Sequence, residues 1–446
     1  MQQPQDTSET LLKLARGDLA GATTLRLPGL RELPREIFGL AETLEVLDIG
    51  DGALTALPAD FGRLHKLRIL FCSGNRFEIL PPALGNCAAL SQVGFRCCGL
   101  REIPGEALPP RLRWLTLTDN RIERLPDNLG DKPCLQKAMF SGNRLASLPS
   151  SLARAGRLEL IRLGSNRLDH LPRWLAELPA LAWASWSGNL LDNAPEATKP
   201  PPRSIPWREI EPGAPIGAGA SGRVYRARWR DTRGDRLLPV AVKLFRGSMT
   251  SDGLPESEID ACLAAGAHPN LIGAYGRIDD HPAGDAALVT PLSPEGWRAL
   301  AGPPDAESCS RDVYAPDFRL TLASALRLAC GIADAVAHLH ARGLSHGDLY
   351  AHNIIWDGDS GAATLTDFGA ASALPTGTGG DAWRRIETRA FGLLFEELLD
   401  RCAPWEASAR LRELATVCTQ PHVAARPTMV EVSAALTQLA TAEKAS

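Results

Sequence analysis

Four short stretches hold residues whose types and spacing could handle phosphate. The octet HGDLYAHN (346–353) sets Asp348 five positions before Asn353. TLTDFGAAS (364–372) carries a second carboxylate, Asp367, at the end of an alternating run. LLPVAVKLF (237–245) reads as an alternating strand and bears Lys243. Just upstream, IGAGASGRVYRA (216–227) spaces Gly217, Gly219 and Gly222 ahead of Val224. Glycines allow a backbone to approach phosphate oxygens with no Cβ atoms in the way. Taken singly these signals are weak, because glycines also close ordinary hairpins and a lone strand lysine is usually just solvated. Their strength lies in their order along the chain.

That order is glycine run, V-A-V-K, H-x-D-x-x-x-x-N, D-F-G, then RAFGLLFEELL (389–399) and a closing segment, CTQPHVAARPTMVEVSAAL (418–436), with Arg426-Pro427. In this order the stretch from about 207 to 440 resembles the eukaryotic-like protein kinase family. The resemblance implies a bilobal α+β kinase fold that uses ATP and Mg²⁺. It gives Lys243 the α- and β-phosphates, and Gly217, Gly219, Gly222 and Val224 the cover over the nucleotide. It makes Asp348 the acceptor of the incoming hydroxyl's proton, and Asn353 and Asp367 the holders of Mg²⁺. Lys243 then needs a carboxylate from the next helix. LPESEIDACLAAGAHPNLIGAYG (254–276) offers Glu256 and Glu258. Glu258 is preferred because Ile259, Cys262 and Leu263 follow it at helical spacing; the plain alternative is an acid favoured by a helix N-terminus. AALVTPL (286–292) reads as the strand into the hinge, with Thr290 guarding the pocket.

This chain departs from the family in several places. Gly347 stands where many kinases carry an arginine that grips a phosphorylated activation segment. Only 20 positions separate Asp367 from Glu387, which aligns with the usual aspartate of the following helix, and no A-P-E motif intervenes. Arg426 is therefore expected to lack its usual carboxylate partner, and switching by activation-loop phosphorylation is not expected. Tyr350 and His352 match neither acceptor class, so the acceptor hydroxyl stays open between Ser/Thr and Tyr. Two rival readings follow. H-G-D also occurs in small-molecule phosphotransferases of the aminoglycoside and choline kinase kind. A non-catalytic scaffold would keep the fold and lose the chemistry. The joint presence of V-A-V-K, the glycine loop, D-F-G and R-P-T-M favours a protein kinase, and every charged residue that phosphoryl transfer requires is present.

The first half repeats itself. Leu-Pro or its equivalent recurs from Leu33-Pro34 to Ala194-Pro195 at spacings of 24, 23, 23, 22, 23, 23 and 23. Asn75, Asn120, Asn143, Asn166 and Asn189 each stand five residues before such a dipeptide. Short strands precede them, as in LRWLTLTDN (112–120). Residues 23–195 are thus similar to leucine-rich repeats, L-x-x-L-x-L-x-x-N, which stack into a horseshoe solenoid because one unit cannot bury its own apolar face. Gly52 and Cys98 replace the asparagine, and those turns are expected to be less well satisfied. Residues 1–22 should hold an amphipathic capping helix. On the concave face the strand positions between the leucines, among them Ile69, Phe71, Trp114, Lys137, Met139, Leu160, Arg162 and Trp183, are expected to be exposed. They should bind a protein substrate or regulator, or the chain's own second domain. A Pro-rich linker (196–206), the kinase domain (207–440) and a tail (441–446) follow. The whole is an α/β multidomain chain that looks like a bacterial leucine-rich-repeat kinase.

Composition supplies the exclusions. A net charge of −4 over 446 residues leaves no electrostatic footprint for nucleic acid. No unbroken apolar run reaches membrane-spanning length, and the charged and His residues of LTLASALRLACGIADAVAHLHARG (320–343) argue against a span. The start has no secretory pattern, and ten scattered cysteines read as reduced thiols. A cytoplasmic, bacterial address is expected, with delivery into a host cell left open.

Overall fold

In this computed structural model the described residues are 7–192, 203–219, 222–231, 236–245, 249–250, 252–376, 379–403 and 409–445. The chain divides into two compact units, Met1–Ala180 and Leu181–Ser446.

The first unit opens with helix α1 (Thr7–Arg16) and continues as strands β1 (Thr24–Arg26), β2 (Val46–Asp48), β3 (Ile69–Phe71), β4 (Gln92–Gly94), β5 (Trp114–Thr116), β6 (Lys137–Met139) and β7 (Leu160–Arg162). Each strand pairs in parallel with the next, residue for residue, so that Leu47, Leu70, Val93, Leu115, Ala138 and Ile161 form one buried row. Short 3-10 turns return the chain on the other side, and a one-turn helix α2 (Arg173–Ala176) ends the unit.

The asparagines stitch successive turns together. Asn120 donates from its amide to the carbonyls of Phe95 (2.8 Å) and Leu117 (2.9 Å) and accepts from the N–H groups of Cys98 (3.1 Å) and Leu100 (3.0 Å). Asn75, Asn143 and Asn166 repeat this pattern one rung away. The two exceptions are filled differently. The single S–H of Cys98 has Cys72 O (3.3 Å) and Arg96 O (3.4 Å) within donating reach, a weak substitute. At Gly52 a Cβ would fall 2.4 Å from Leu30 O, so the neighbouring turn occupies the rung. Asn120→Ala leaves several buried backbone groups without their partner. It should lower the unfolding free energy by about 3 kcal/mol, read as a lower urea midpoint at unchanged slope.

The second unit begins with the strand of the eighth repeat, β8 (Trp183–Ser185). Then come β9 (Ile210–Ala218), β10 (Gly222–Asp231), β11 (Arg236–Phe245), helix α3 (Pro255–Ala265), β12 (Gly276–Ile278) and β13 (Ala287–Pro291). These five strands form an antiparallel sheet in the order β12-β13-β11-β10-β9. Val240 and Val242 join Ile210, Ala227, Trp229, Ile278 and Val289 in a core on one face. Strand alternation turns Lys243 to the other face.

Most of the expected linker, 196–202, lies outside the described residues. Its end does not: Ile205 is 1% exposed in that sheet's core and its N–H donates to Arg277 O (2.8 Å). The folded kinase unit therefore takes in residues ahead of 207, because Ile205 completes an apolar face. The expected tail likewise continues a helix as far as Ala445.

The remainder is mainly helical. It holds β14 (Arg298–Ala299), α4 (Leu322–Ala341), β15 (Leu344–Ser345), β16 (Ile354–Trp356), β17 (Ala363–Leu365), β18 (Ser372–Ala373), α5 (Gly380–Leu399), α6 (Ala409–Cys418) and α7 (Met429–Ala445). By length and hydropathy alone α4 could cross a membrane, but 56% of that window is buried, and α4 packs against α7 and α5. Its apolar character is that of a core helix. Arg426 is 1% exposed and donates to the carbonyls of Gln420 (2.7 Å) and Arg385 (3.2 Å). Backbone oxygens thus take up its guanidinium, whose pKa burial and the nearby Arg389 lower to about 9.

Candidate active site

Lys243 lies opposite Val224 on β10 and Leu288 on β13. Its ammonium is ion-paired with the Glu258 carboxylate from the first turn of α3. Glu256, the alternative partner, is exposed. Burial opposes the Lys243 charge, but the carboxylates of Asp367 and Glu258 outweigh it and raise its pKa. Burial, assisted by Asp367, pushes the Glu258 carboxyl up to about 7 against the pull of Lys243. Its Oε2 is buried with no hydrogen-bond partner. An unsatisfied carboxylate oxygen beside a lysine is a polar corner suited to receiving a further group.

The glycine run closes as a hairpin, with Gly219 N–H donating to Gly222 O (2.9 Å). Ala220 and Ser221 lie outside the described residues. The glycines divide in kind. At Gly222 a Cβ would sit 2.2 Å from Leu244 O, so packing alone demands glycine there. At Gly219 nothing lies within 4 Å, and at Gly217 only Val224 Cβ approaches, at 3.9 Å. The protein's own packing does not require these two to be glycine. They leave the space that a nucleotide's phosphates would fill. Thr290 is half-buried on β13 across from Ala241, two residues along from Leu288, the cross-strand partner of Lys243.

The catalytic-loop octet follows β15. Asn353 donates from its amide nitrogen to Asp348 Oδ2 (2.7 Å) and Asp348 O (2.9 Å). These bonds orient the aspartate and leave the asparagine's amide oxygen as its acceptor. Asp367 takes a left-handed backbone, φ 59°, with Oδ1 accepting from Gly369 N–H (3.1 Å). No group of three or more His, Cys, Asp or Glu that could hold a metal occurs among the described residues. One carboxylate and one amide oxygen do suit Mg²⁺, which takes hard oxygen ligands and completes its shell with water and substrate phosphates.

The loop's support comes from Glu387, which the sequence aligns with the family's helix aspartate, and from Asp312, which carries no signal in the sequence. Glu387 on α5, 2% exposed, accepts from Gly347 N–H (2.8 Å) and bonds His340 (2.8 Å). Burial alone would raise its pKa, but the hydrogen bond and charge of His340 hold the carboxyl below the usual range. Asp312 lies in the irregular stretch that precedes α4. It accepts from His352 N–H (3.1 Å) and pairs with His352 Nδ1 (2.6 Å). Burial works against the His352 charge, yet the Asp312 hydrogen bond, with Asp348, Asp312 and Asp367 nearby, raises its pKa.

Gly347 also has a steric reason. Its φ is 73°, and a Cβ would lie 2.5 Å from Ala370 O and 2.7 Å from Ala184 O. An arginine at this position has nowhere to go.

The expected exposure of the repeat strands holds only in part. Phe71, Trp114 and Met139 are half-buried. Ile69, Lys137, Leu160, Arg162 and Trp183 are buried. Strands about 4.8 Å apart let long side chains cover one another. The Lys137 ammonium, for example, sits 4.0 Å from the Trp114 ring centroid. Trp183 is 2% exposed and stacks on Tyr350 of the catalytic loop, with ring centroids 4.2 Å apart and planes 8° from parallel.

Comparison with known proteins agrees with this geometry. Residues 210–381 match the family described as protein tyrosine and serine/threonine kinase, and residues 66–87 match leucine rich repeat. A probable serine/threonine-protein kinase, gdt2, of Dictyostelium discoideum is 26% identical over 232 residues, 47% of this chain and 13% of that protein. Plant intracellular Ras-group-related LRR protein 8 of Oryza sativa is 28% identical over 157 residues, 35% of this chain and 36% of that protein. Serine/threonine-protein kinase PkaA of Streptomyces coelicolor is 31% identical over 172 residues, 35% of this chain and 28% of that protein. The chain thus spans well under two thirds of the length of these relatives. It carries leucine-rich repeats followed by a protein kinase domain similar to those of serine/threonine kinases.

Proposed function

We propose that the protein is an ATP-dependent protein kinase that phosphorylates serine or threonine hydroxyls. The observation that carries this reading is a complete phosphate-handling set in one unit: Lys243 paired with Glu258, Asp348 oriented by Asn353, Asp367 nearby, and two glycines facing open space. When bound, Mg²⁺ would neutralise charge on the transferred phosphoryl group. Lys243 fixes the α- and β-phosphates while Glu258 holds its ammonium in place. Asp348 Oδ2 takes the acceptor's proton, and Asn353 and Asp367 supply metal-facing oxygens. The serine/threonine kinases among the relatives support the protein acceptor over a small molecule, and the intact set of charges speaks against a bare scaffold.

The repeats are read as a binding surface for a protein substrate or regulator, centred on Phe71, Trp114 and Met139. A bacterial, cytoplasmic setting fits the composition and the Streptomyces relative. The test is incubation of the purified chain with γ-labelled ATP and Mg²⁺, followed by mass spectrometry of the labelled sites. Label on serine or threonine supports the reading. Absence of Mg²⁺-dependent transfer to any protein, the chain itself included, would remove it.

A further inference from the structure

Five aromatic and charged side chains converge beside the catalytic loop. Trp183 stacks on Tyr350, two residues after Asp348. Its indole Nε1 donates to Leu349 O (3.0 Å) in the same loop. The Arg311 guanidinium lies over the Trp183 ring, 5.2 Å from its centroid, as a cation–π contact. Tyr350 in turn lies 5.1 Å from the His352 ring, which Asp312 holds. Arg311 and Asp312 are chain neighbours, so the cluster runs from one residue of that pair through Trp183, Tyr350 and His352 to the other.

Trp186, the residue that follows β8, reaches the chain beyond D-F-G. Trp186 N–H donates to Ser372 Oγ (2.9 Å), and its indole Nε1 donates to Ala373 O (2.9 Å). Ser372 and Ala373 form β18, paired with β15 just ahead of the catalytic loop. The Trp186 ring meets Trp383 of α5 edge-on, with centroids 4.7 Å apart. In the repeat pattern Trp186 occupies the position of an inward leucine, which has no N–H to offer a carbonyl.

We propose that Trp183 is a positioning residue for phosphoryl transfer, so that β8 holds the catalytic loop and β18 in their working arrangement. The inference rests on the kinase reading above and extends it. It accounts for three departures at once. Gly347 is small because the carbonyls of Ala370 and, from β8, Ala184 stand where a Cβ would go. Tyr350 stands two residues after Asp348 because a flat ring is what Trp183 can stack on. The segment after D-F-G manages without an A-P-E anchor because Trp186 ties its first strand. Held this way, the loop needs no phosphate grip to be set.

The test uses full-length Trp183→Ala, Trp183→Leu and Trp183→Phe, with casein as acceptor and ATP consumption as the readout. Trp183→Leu fills the space without stacking, and Trp183→Phe keeps a stacking ring. For Ala and Leu, kcat should fall on the order of 10- to 100-fold while KM for ATP stays within about twofold, because misplacing the acceptor-side loop costs rate and not nucleotide binding. Trp183→Phe should retain most of kcat. ATP affinity by calorimetry should match wild type in all three. Wild-type kcat in Trp183→Ala or Trp183→Leu overturns the inference. So does a loss in Trp183→Phe as large as in Trp183→Ala, or a parallel rise in KM that marks general damage. If wild-type protein transfers no phosphate, the kinase reading falls and takes this inference with it. Active wild type with unaffected variants removes this inference alone.

Discussion

Asp348→Asn is expected to lower the rate of phosphoryl transfer by about 10²- to 10⁴-fold, the usual contribution of a positioned general base. Asparagine keeps an oxygen that can accept the Asn353 amide at Asp348's place, so the loop's hydrogen bonds survive while the proton acceptor is lost. Thermal unfolding should therefore stay near wild type. Lys243→Met should also bring transfer to background, by a different route. Removing the ammonium leaves Glu258 buried without its partner. A carboxyl already pushed up to about 7 by burial takes up a proton readily, which spares the fold the cost of a lone buried charge. The two variants thus separate chemistry from folding: both inactive, both folded. Turnover at wild-type levels in either one, by labelled ATP and mass spectrometry, would end the assignment of that residue.

Much of this was legible from residue patterns, and the limits have a physical cause. The asparagine ladder could be read because every rung repeats the same local environment, so spacing alone reveals it. Glu258 could be preferred over Glu256 because apolar residues at helical spacing say which side of α3 faces inward. Trp183 shows where this stops. Strand alternation says that its side chain leaves the leucine face, but not what lies across from it, and Tyr350 is far away in sequence. Asp312 is illegible for the same reason: a carboxylate in an irregular stretch carries no period to point it at His352. Gly347 looked like the loss of a function from sequence alone. In the fold it is a close approach of two carbonyls, Ala370 and Ala184, which no local pattern encodes.

Glu387→Ala is expected to have the largest effect on stability of any single change at the site, about 3–5 kcal/mol, because two buried hydrogen bonds are lost at once and each buried group left unsatisfied costs about 1–3 kcal/mol. The carboxylate is almost fully buried and serves two elements, the ring of His340 on α4 and the N–H of Gly347 in the catalytic loop. Its removal leaves His340 buried without its acid and takes the anchor from the residue directly before Asp348. Glu387→Gln keeps an acceptor for Gly347 and should cost less, about 1–3 kcal/mol. The pH dependence follows from the lowered pKa. The folded protein holds the Glu387 carboxyl below its ordinary value of 4.5, so the folded state binds fewer protons there than the unfolded chain. The stabilisation is fully present above that ordinary value and is lost as pH falls through the lower, folded value. The gap in urea midpoint between wild type and Glu387→Ala should therefore be wide at neutral pH and narrow under acid conditions below about 4.5. A gap that stays constant into acid would mean that the glutamate acts by filling space and not by its charge. An unchanged midpoint at neutral pH would mean that Gly347 is held by other contacts, and the loop's support would then have to be sought at Trp183 and Asp312.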